Sequence, residues 1–187
     1  DGLIDADRVE TLKQERRLHG GRVHPLIVIA DQNWRSLDGR LLSLEALTEW
    51  MATRLGFEYL HIDPLKIDFT GVAEVMSSAY AARFGILPVK VTSHEVVIAS
   101  AEPFIKEWVE ELGRILRKQI RRVMANPEDI SRYLVEFFNL AKSVKKAAAR
   151  GDVTVGISSF EQLVELGKAN RPLDANDQHI VHIVDWL

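Results

Sequence analysis

The stretch ILPVKVTSHEVVIASAEPF, residues 86–104, decides the fold. Residues 89–91 and 96–99 are short apolar runs rich in valine and isoleucine, which suits strands. Thr92-Ser93-His94-Glu95 between them is a polar turn, so the two strands make a hairpin. The exit Ala99-Ser100-Ala101-Glu102 runs into Pro103-Phe104. Proline costs nothing at the first helical position, where its missing N–H would have had no partner. A helix over 103–117 is therefore predicted, with Ile105, Trp108, Val109, Leu112, Ile115 and Leu116 on its apolar side. Nothing in the hairpin reads as a catalytic set.

Outward from the hairpin the pattern continues. Before it, residues 72–84 read as one helix with Val75, Met76, Ala79, Tyr80 and Phe84 inward and Gly85 as its C-cap. Residues 57–62 read as a short strand, and Asp63-Pro64 as a turn. Ser43 is placed to N-cap a helix over 44–55, with Leu44, Leu47, Trp50, Met51 and Leu55 near one face and Gly56 ending it. The apolar run 25–30 fits a buried strand or a helical segment equally well. Asp38-Gly39 marks a turn, and residues 5–18 read as a helix closed by Gly20-Gly21. After the hairpin, residues 120–125 read as a third strand. A helix from Pro127 to about residue 149 follows, with Glu128 and Asp129 favoured by the positive end of its dipole. Residues 150–159 read as a linker, with short helical pieces at 160–169 and 178–187. The order strand–helix–strand–strand–helix–strand–helix over 57–149 is α+β, with a small, mostly antiparallel sheet carrying helices. Three segments are expected: a helical part at 1–56, the α+β domain at 57–149, and a linker with a leading helix at 150–187.

Composition narrows the function classes. A chain of 187 residues, 47% hydrophobic and 27% charged, suits a globular domain with a sizeable core. No apolar run approaches the roughly 20 residues that a membrane span needs. The start, Asp1-Gly2-Leu3-Ile4-Asp5, lacks the basic and apolar regions of a secretory signal. With no cysteine there is no disulfide and no thiolate metal site, which fits a reducing compartment. A net charge of −3 gives no reason to expect nucleic acid as partner. Residue 1 is Asp, and the apolar pattern at 179–187 stops without a helix-ending signal, so a piece of a longer protein is expected.

The search for chemistry returns no catalytic set. Gly-x-x-x-x-Gly-Lys-Ser/Thr is absent, so no glycine-rich loop awaits a triphosphate. His179 and His182 are three apart, but zinc needs further ligands and no known spacing supplies them. No metal and no cofactor are therefore expected. Asp63 and Asp68 read as turn and cap residues. Arg114, Arg117, Lys118, Arg121 and Arg122 place five basic residues in nine. They read either as solvated charge at a helix C-terminus or as a patch for an acidic partner or a phosphate. Arg54, in Arg54-Leu55-Gly56, joins Arg114, Arg117, Arg121 and Arg122 as a candidate phosphate contact. Trp34, in a polar loop, is the best candidate for an interface anchor.

Several phrases resemble one known module, the N-terminal regulatory domain of type II secretion and type IV pilus assembly ATPases. Leu87-Pro88-Val89, Val96-Val97-Ile98-Ala99 and Glu102-Pro103-Phe104 match its strand–turn–strand–helix phrase. Tyr59-Leu60-His61-Ile62-Asp63-Pro64 resembles its first strand. Residues 79–88 resemble its helix-to-strand passage, and residues 120–125 with Pro127 and Ile130 its closing strand and helix. Residues 173–181 resemble the segment just before the ATPase domain. The resemblance implies a non-catalytic docking or regulatory domain that couples a hexameric motor to the cytoplasmic part of an inner-membrane assembly protein. It also implies a bacterial, cytoplasmic location at the inner membrane face. ATP and Mg²⁺ would belong to a domain downstream. Many members bind cyclic di-GMP through motifs beginning Arg-Leu-Gly. Here His24-Pro25-Leu26 stands at that place, and Arg54-Leu55-Gly56 falls at a helix C-terminus.

Overall fold

The computed structural model describes residues 8, 10, 12–14, 23–36 and 38–149, with side chains followed to residue 146. Residues 150–187 lie outside, and with them the expected linker, the terminal helices, His179 and His182. Of the helix expected over 5–18, the described residues 8, 10 and 12–14 are helical.

The ambiguous run at 25–30 is helix α1, Pro25–Asp31. His24 settles it from outside the run. Its imidazole Nδ1 accepts from the Leu26 N–H at 3.2 Å, and Pro25 occupies the first helical position. Helix α2, Leu44–Leu55, starts and stops as expected. Ser43 Oγ accepts from the Ala46 N–H at 3.2 Å, and Gly56 closes the helix at φ 73°. Leu26, Leu42 and Leu47 make a small core with Trp34, Leu44 and Met51 packed around it. The buried arc of α2 centres on Leu47, Thr48 and Ala52. Trp50, expected inside, is turned to solvent and is 39% exposed; Leu55 overhangs the end of the helix.

Two more expectations are corrected upstream of the hairpin. Residues 57–62 do not form a strand. They make one parallel bridge, Tyr59 to Met124, with the Leu60 N–H and the Glu58 carbonyl bonded to Met124 at 2.8 Å each. The chain then turns away into a 3₁₀ turn, Pro64–Lys66, capped by Asp63. The single helix expected over 72–84 is two, α3 (Phe69–Val75) and α4 (Ser78–Phe84). Asp68 caps the first and Ser77 the second, each accepting a backbone N–H. Met76 is extended between them, at φ −157°. A Ser side chain competes for backbone donors, and here that competition restarts the helix. The break rotates the second piece, so Ala81 is fully buried while Ala79, expected inside, is exposed.

The hairpin is β1 (Ile86–Val91) and β2 (Glu95–Ser100), paired antiparallel from Ile86↔Ser100 to Val91↔Val96. Pro88 sits on the edge strand, where a missing N–H is tolerated. Strand β3, Gln119–Met124, lies parallel to β2. The sheet order β1-β2-β3 is therefore mixed, with β2 central. A parallel neighbour requires a crossover, and helix α5, Glu107–Leu116, supplies it. That helix begins four residues later than the proline suggested, and its N-cap, Lys106, makes no side-chain hydrogen bond. Ile115, expected inside, is 67% exposed. Helix α6, Pro127–Ala149, runs as expected and packs on α3, α4, β1 and β2. Trp108, Phe69, Phe137, Ile98 and Val96 fill the main core around the central strand. The architecture is α+β.

Candidate functional site

The five arginines singled out in the sequence do not converge on one surface. Arg54 lies in the last turn of α2 and is exposed. Arg114 lies in the last turn of α5, its Nε bonded to the Glu110 carbonyl at 3.3 Å. Arg117 is the C-cap of α5, held in the left-handed region at φ 52°, where glycine is usual. Arg121 and Arg122 are neighbours on β3, so they leave opposite faces of the sheet. Arg121 bridges two carboxylates, Glu95 at 3.1 Å and Glu58. Arg122 turns inward. Its guanidinium lies 5.0 Å from the Phe57 ring centre and 5.5 Å from that of Trp108. Its Nη2 donates to the carbonyls of Glu102, Pro103 and Ile105. Burial lowers its affinity for the proton. Arg114 and Arg117 are exposed.

The exposed apolar residues are more suggestive. Ile115 follows Trp108 by seven residues, about two helical turns, so it continues the stripe that buries Trp108 and Leu112. The stripe outruns the core, leaving Ile115 uncovered at the end of α5. Phe104, just before that helix, is 74% exposed. Arg114 and Arg117 sit at the same helix end. An apolar residue rimmed by cations in this way suits contact with another protein.

A polar cluster joins the N-terminal helices to the sheet. Glu45 from the first turn of α2, His61 from the bridged segment and Asp129 from the first turn of α6 bring a donor atom each within 4.8 Å of one another. His61 Nδ1 is 3.1 Å from Glu45 Oε1. Asn126 Nδ2 reaches Glu45 Oε2 at 3.5 Å, and Arg132 donates to Asp129 Oδ1 at 2.8 Å. Burial pushes the Glu45 carboxyl up, but Tyr59, His61 and Asn126 outweigh it and leave the group below its ordinary value. Burial, then Glu45, drive the Tyr59 hydroxyl well above its ordinary value. That hydroxyl is buried against Glu45 without a hydrogen bond of normal geometry. The sequence assigned Glu45 no role and gave Asp129 only a place at the positive end of a helix dipole. They are 84 residues apart in the chain, and only packing makes them neighbours.

His24 makes a second junction. With Nδ1 accepting from Leu26, the ring proton is on Nε2, which donates to the Ala101 carbonyl at 3.3 Å. Glu102 Oε1 lies 3.4 Å from the same nitrogen. The residue at the place of the expected motif arginine thus ties α1 to the hairpin exit. Between α1 and α2 an open depression of about 280 Å³ is lined by Ile27, Asn33, Leu41, Leu44 and Glu128 among others. Among the described residues no helix is long and apolar enough to cross a membrane.

Residues 55–144 match the MshEN domain family. Over 194 aligned positions the chain is 36% identical to the type IV pilus assembly ATPase TfpB of Acinetobacter baylyi. The alignment takes in all of this chain and 32% of that protein, so the chain spans about a third of its relative. Among solved structures it is similar to MshE with cdg, with a TM-score of 0.51 and 14% identity over 73% of this chain and 91% of that one. The N-terminal domain of XpsE is 15% identical over 73% of this chain and 86% of its own, with a TM-score of 0.41. At such identities the MshE likeness speaks to the fold.

Proposed function

We propose a non-catalytic docking and regulatory domain, supported by the match of residues 55–144 to the MshEN domain family and by the likeness of the chain to a type IV pilus assembly ATPase. It couples a hexameric motor to the cytoplasmic domain of an inner-membrane assembly protein. The absence of a phosphate-binding loop supports the non-catalytic part. ATP and Mg²⁺ are then handled by a domain downstream of this chain. The observation that carries the docking part is the uncovered end of α5, where Ile115 extends the core stripe into solvent beside Arg114 and Arg117. The test is a pull-down with the membrane partner's cytoplasmic domain, using this chain and the full-length protein in parallel. Retention of both supports the proposal; retention of neither overturns it.

A second reading is a cyclic di-GMP sensor of the same family. It is supported by the fold shared with MshE, whose structure is with cdg, and by the exposed charges of Arg114 and Arg117. Against it, His24 stands where the motif arginine was expected and spends both ring nitrogens on Leu26 and Ala101. Calorimetry with cyclic di-GMP separates the readings. Absence of heat at high micromolar ligand removes the sensor.

A further inference from the structure

We propose that Glu45, His61 and Asp129 form a divalent transition-metal site at the junction between the N-terminal helices and the sheet. The reading is independent of the docking function and rests on three features of the cluster.

The first is the donor set. One imidazole and two carboxylates, with solvent to complete the shell, is a mixed nitrogen and oxygen set that suits Zn²⁺ or a neighbouring divalent ion. Magnesium and calcium prefer all-oxygen shells and are disfavoured by the histidine. The second is spacing. Two ligands bound to one zinc at about 2.0–2.1 Å sit roughly 3.3 Å apart in a tetrahedral shell. His61 Nδ1 and Glu45 Oε1 are already 3.1 Å apart. The third donor, on Asp129, lies within 4.8 Å of both, so a side-chain rotation closes the set.

The third feature is the surround. Asn126 approaches the far oxygen of Glu45, and Arg132 holds Oδ1 of Asp129. Each carboxylate thus has a hydrogen-bond donor outside the set of three, the role outer-shell donors play in orienting metal ligands. The Tyr59 hydroxyl beside Glu45 is buried and makes no hydrogen bond of normal geometry, so it is free to serve as an outer-shell donor. Glu45 and Asp129 bring two carboxylates together from the first turns of two helices. The side chains of His61 and Glu45 are 71% and 43% exposed, so an ion and its waters can reach the site.

A metal here would bind residues from three separate stretches of the chain. It would therefore stiffen the α2–α6 junction and raise stability in proportion to occupancy. The test is a Zn²⁺ titration of the 187-residue chain, followed by calorimetry and thermal unfolding, with Co²⁺ absorbance as a report on ligand geometry. One equivalent is expected to bind and raise the Tm. His61→Ala is expected to weaken binding by at least about tenfold, and Glu45→Gln and Asp129→Asn comparably; Tyr59→Phe, an outer-shell change, should lower affinity on the order of tenfold. The double variant His179→Ala/His182→Ala should bind as the parent does. Three results would each overturn the proposal: no saturable binding at high micromolar free Zn²⁺, equal binding by a folded His61→Ala chain, or loss of binding in the His179/His182 double variant.

Discussion

Arg122 Nη2 donates to the carbonyl oxygen of Pro103 at 2.8 Å, and this bond accounts for where α5 begins. The same nitrogen takes the carbonyls of Glu102 and Ile105. Those oxygens are the ones a helix starting at Pro103 would turn along its own axis to meet N–H groups four residues on. Held by a guanidinium from β3, they face the sheet instead, and the helix starts at Glu107. Sandwiched near Phe57 and Trp108, Arg122 is a part of the fold more than a ligand contact.

Arg122→Ala should therefore destabilise the domain by about 2–3 kcal/mol, the range for losing hydrogen bonds made by a charged group together with its packing. Arg122→Lys should recover only part of that, because an ammonium lacks the planar fork that reaches several carbonyls at once. Urea unfolding of the three proteins checks both. Full stability in the alanine variant would show that the loop is held by something else.

Helix caps give a finer test. Ser77→Ala removes the acceptor for the Tyr80 N–H and should cost about 1 kcal/mol. Gly71→Ala is more informative. A methyl there meets Asp68 Oδ2 at 2.8 Å and displaces the cap, a loss of about 1 kcal/mol that offsets a similar gain in helix propensity. The single change should be near neutral. In an Asp68→Ala background, with no cap to displace, it should stabilise by about 0.5–1 kcal/mol. Chemical denaturation of the double-mutant cycle measures the coupling.

Tyr80 should titrate late. Burial, and then the Glu111 carboxylate that accepts its hydroxyl at 2.7 Å, push it up to about 12 from an ordinary 10.0. The folded state therefore keeps its proton where the unfolded chain has lost it. Stability from this pair is complete below pH 10 and drains away as pH rises from 10 towards 12. Ultraviolet titration of tyrosinate should show the late step, and Glu111→Gln should bring it back towards the ordinary value.

Ile115→Asp should leave stability within about 0.5 kcal/mol of the parent, since the residue is exposed. Binding to the membrane partner's cytoplasmic domain should weaken by more than about 1 kcal/mol if Ile115 anchors the interface. Unchanged affinity, measured by calorimetry, would move the docking surface elsewhere.

Much of the architecture was legible in local sequence. The hairpin, the Ser43 and Gly56 boundaries of α2 and the long helix after Asn126-Pro127 all depend on groups within a few residues of each other. The misreadings share a cause. The apolar period across residues 72–84 carries no sign that Ser77 will take the Tyr80 N–H and restart the helix. Proline at 103 is a fair helix start until an arginine 19 residues on takes its carbonyl. Ile115 has the period of a core residue, but nothing in the tertiary packing of the described residues covers it.

The chain by itself determined the class of fold, the hairpin at its centre and the lack of a phosphate-binding loop. These follow from side-chain period and turn chemistry, which act over one to four residues. Only the tertiary structure decided that β3 runs parallel to β2, that Arg121 and Arg122 part company, and that Glu45, His61 and Asp129 meet. Each of those depends on residues tens of positions apart. Their distances are set by how the core closes, and no local pattern records that.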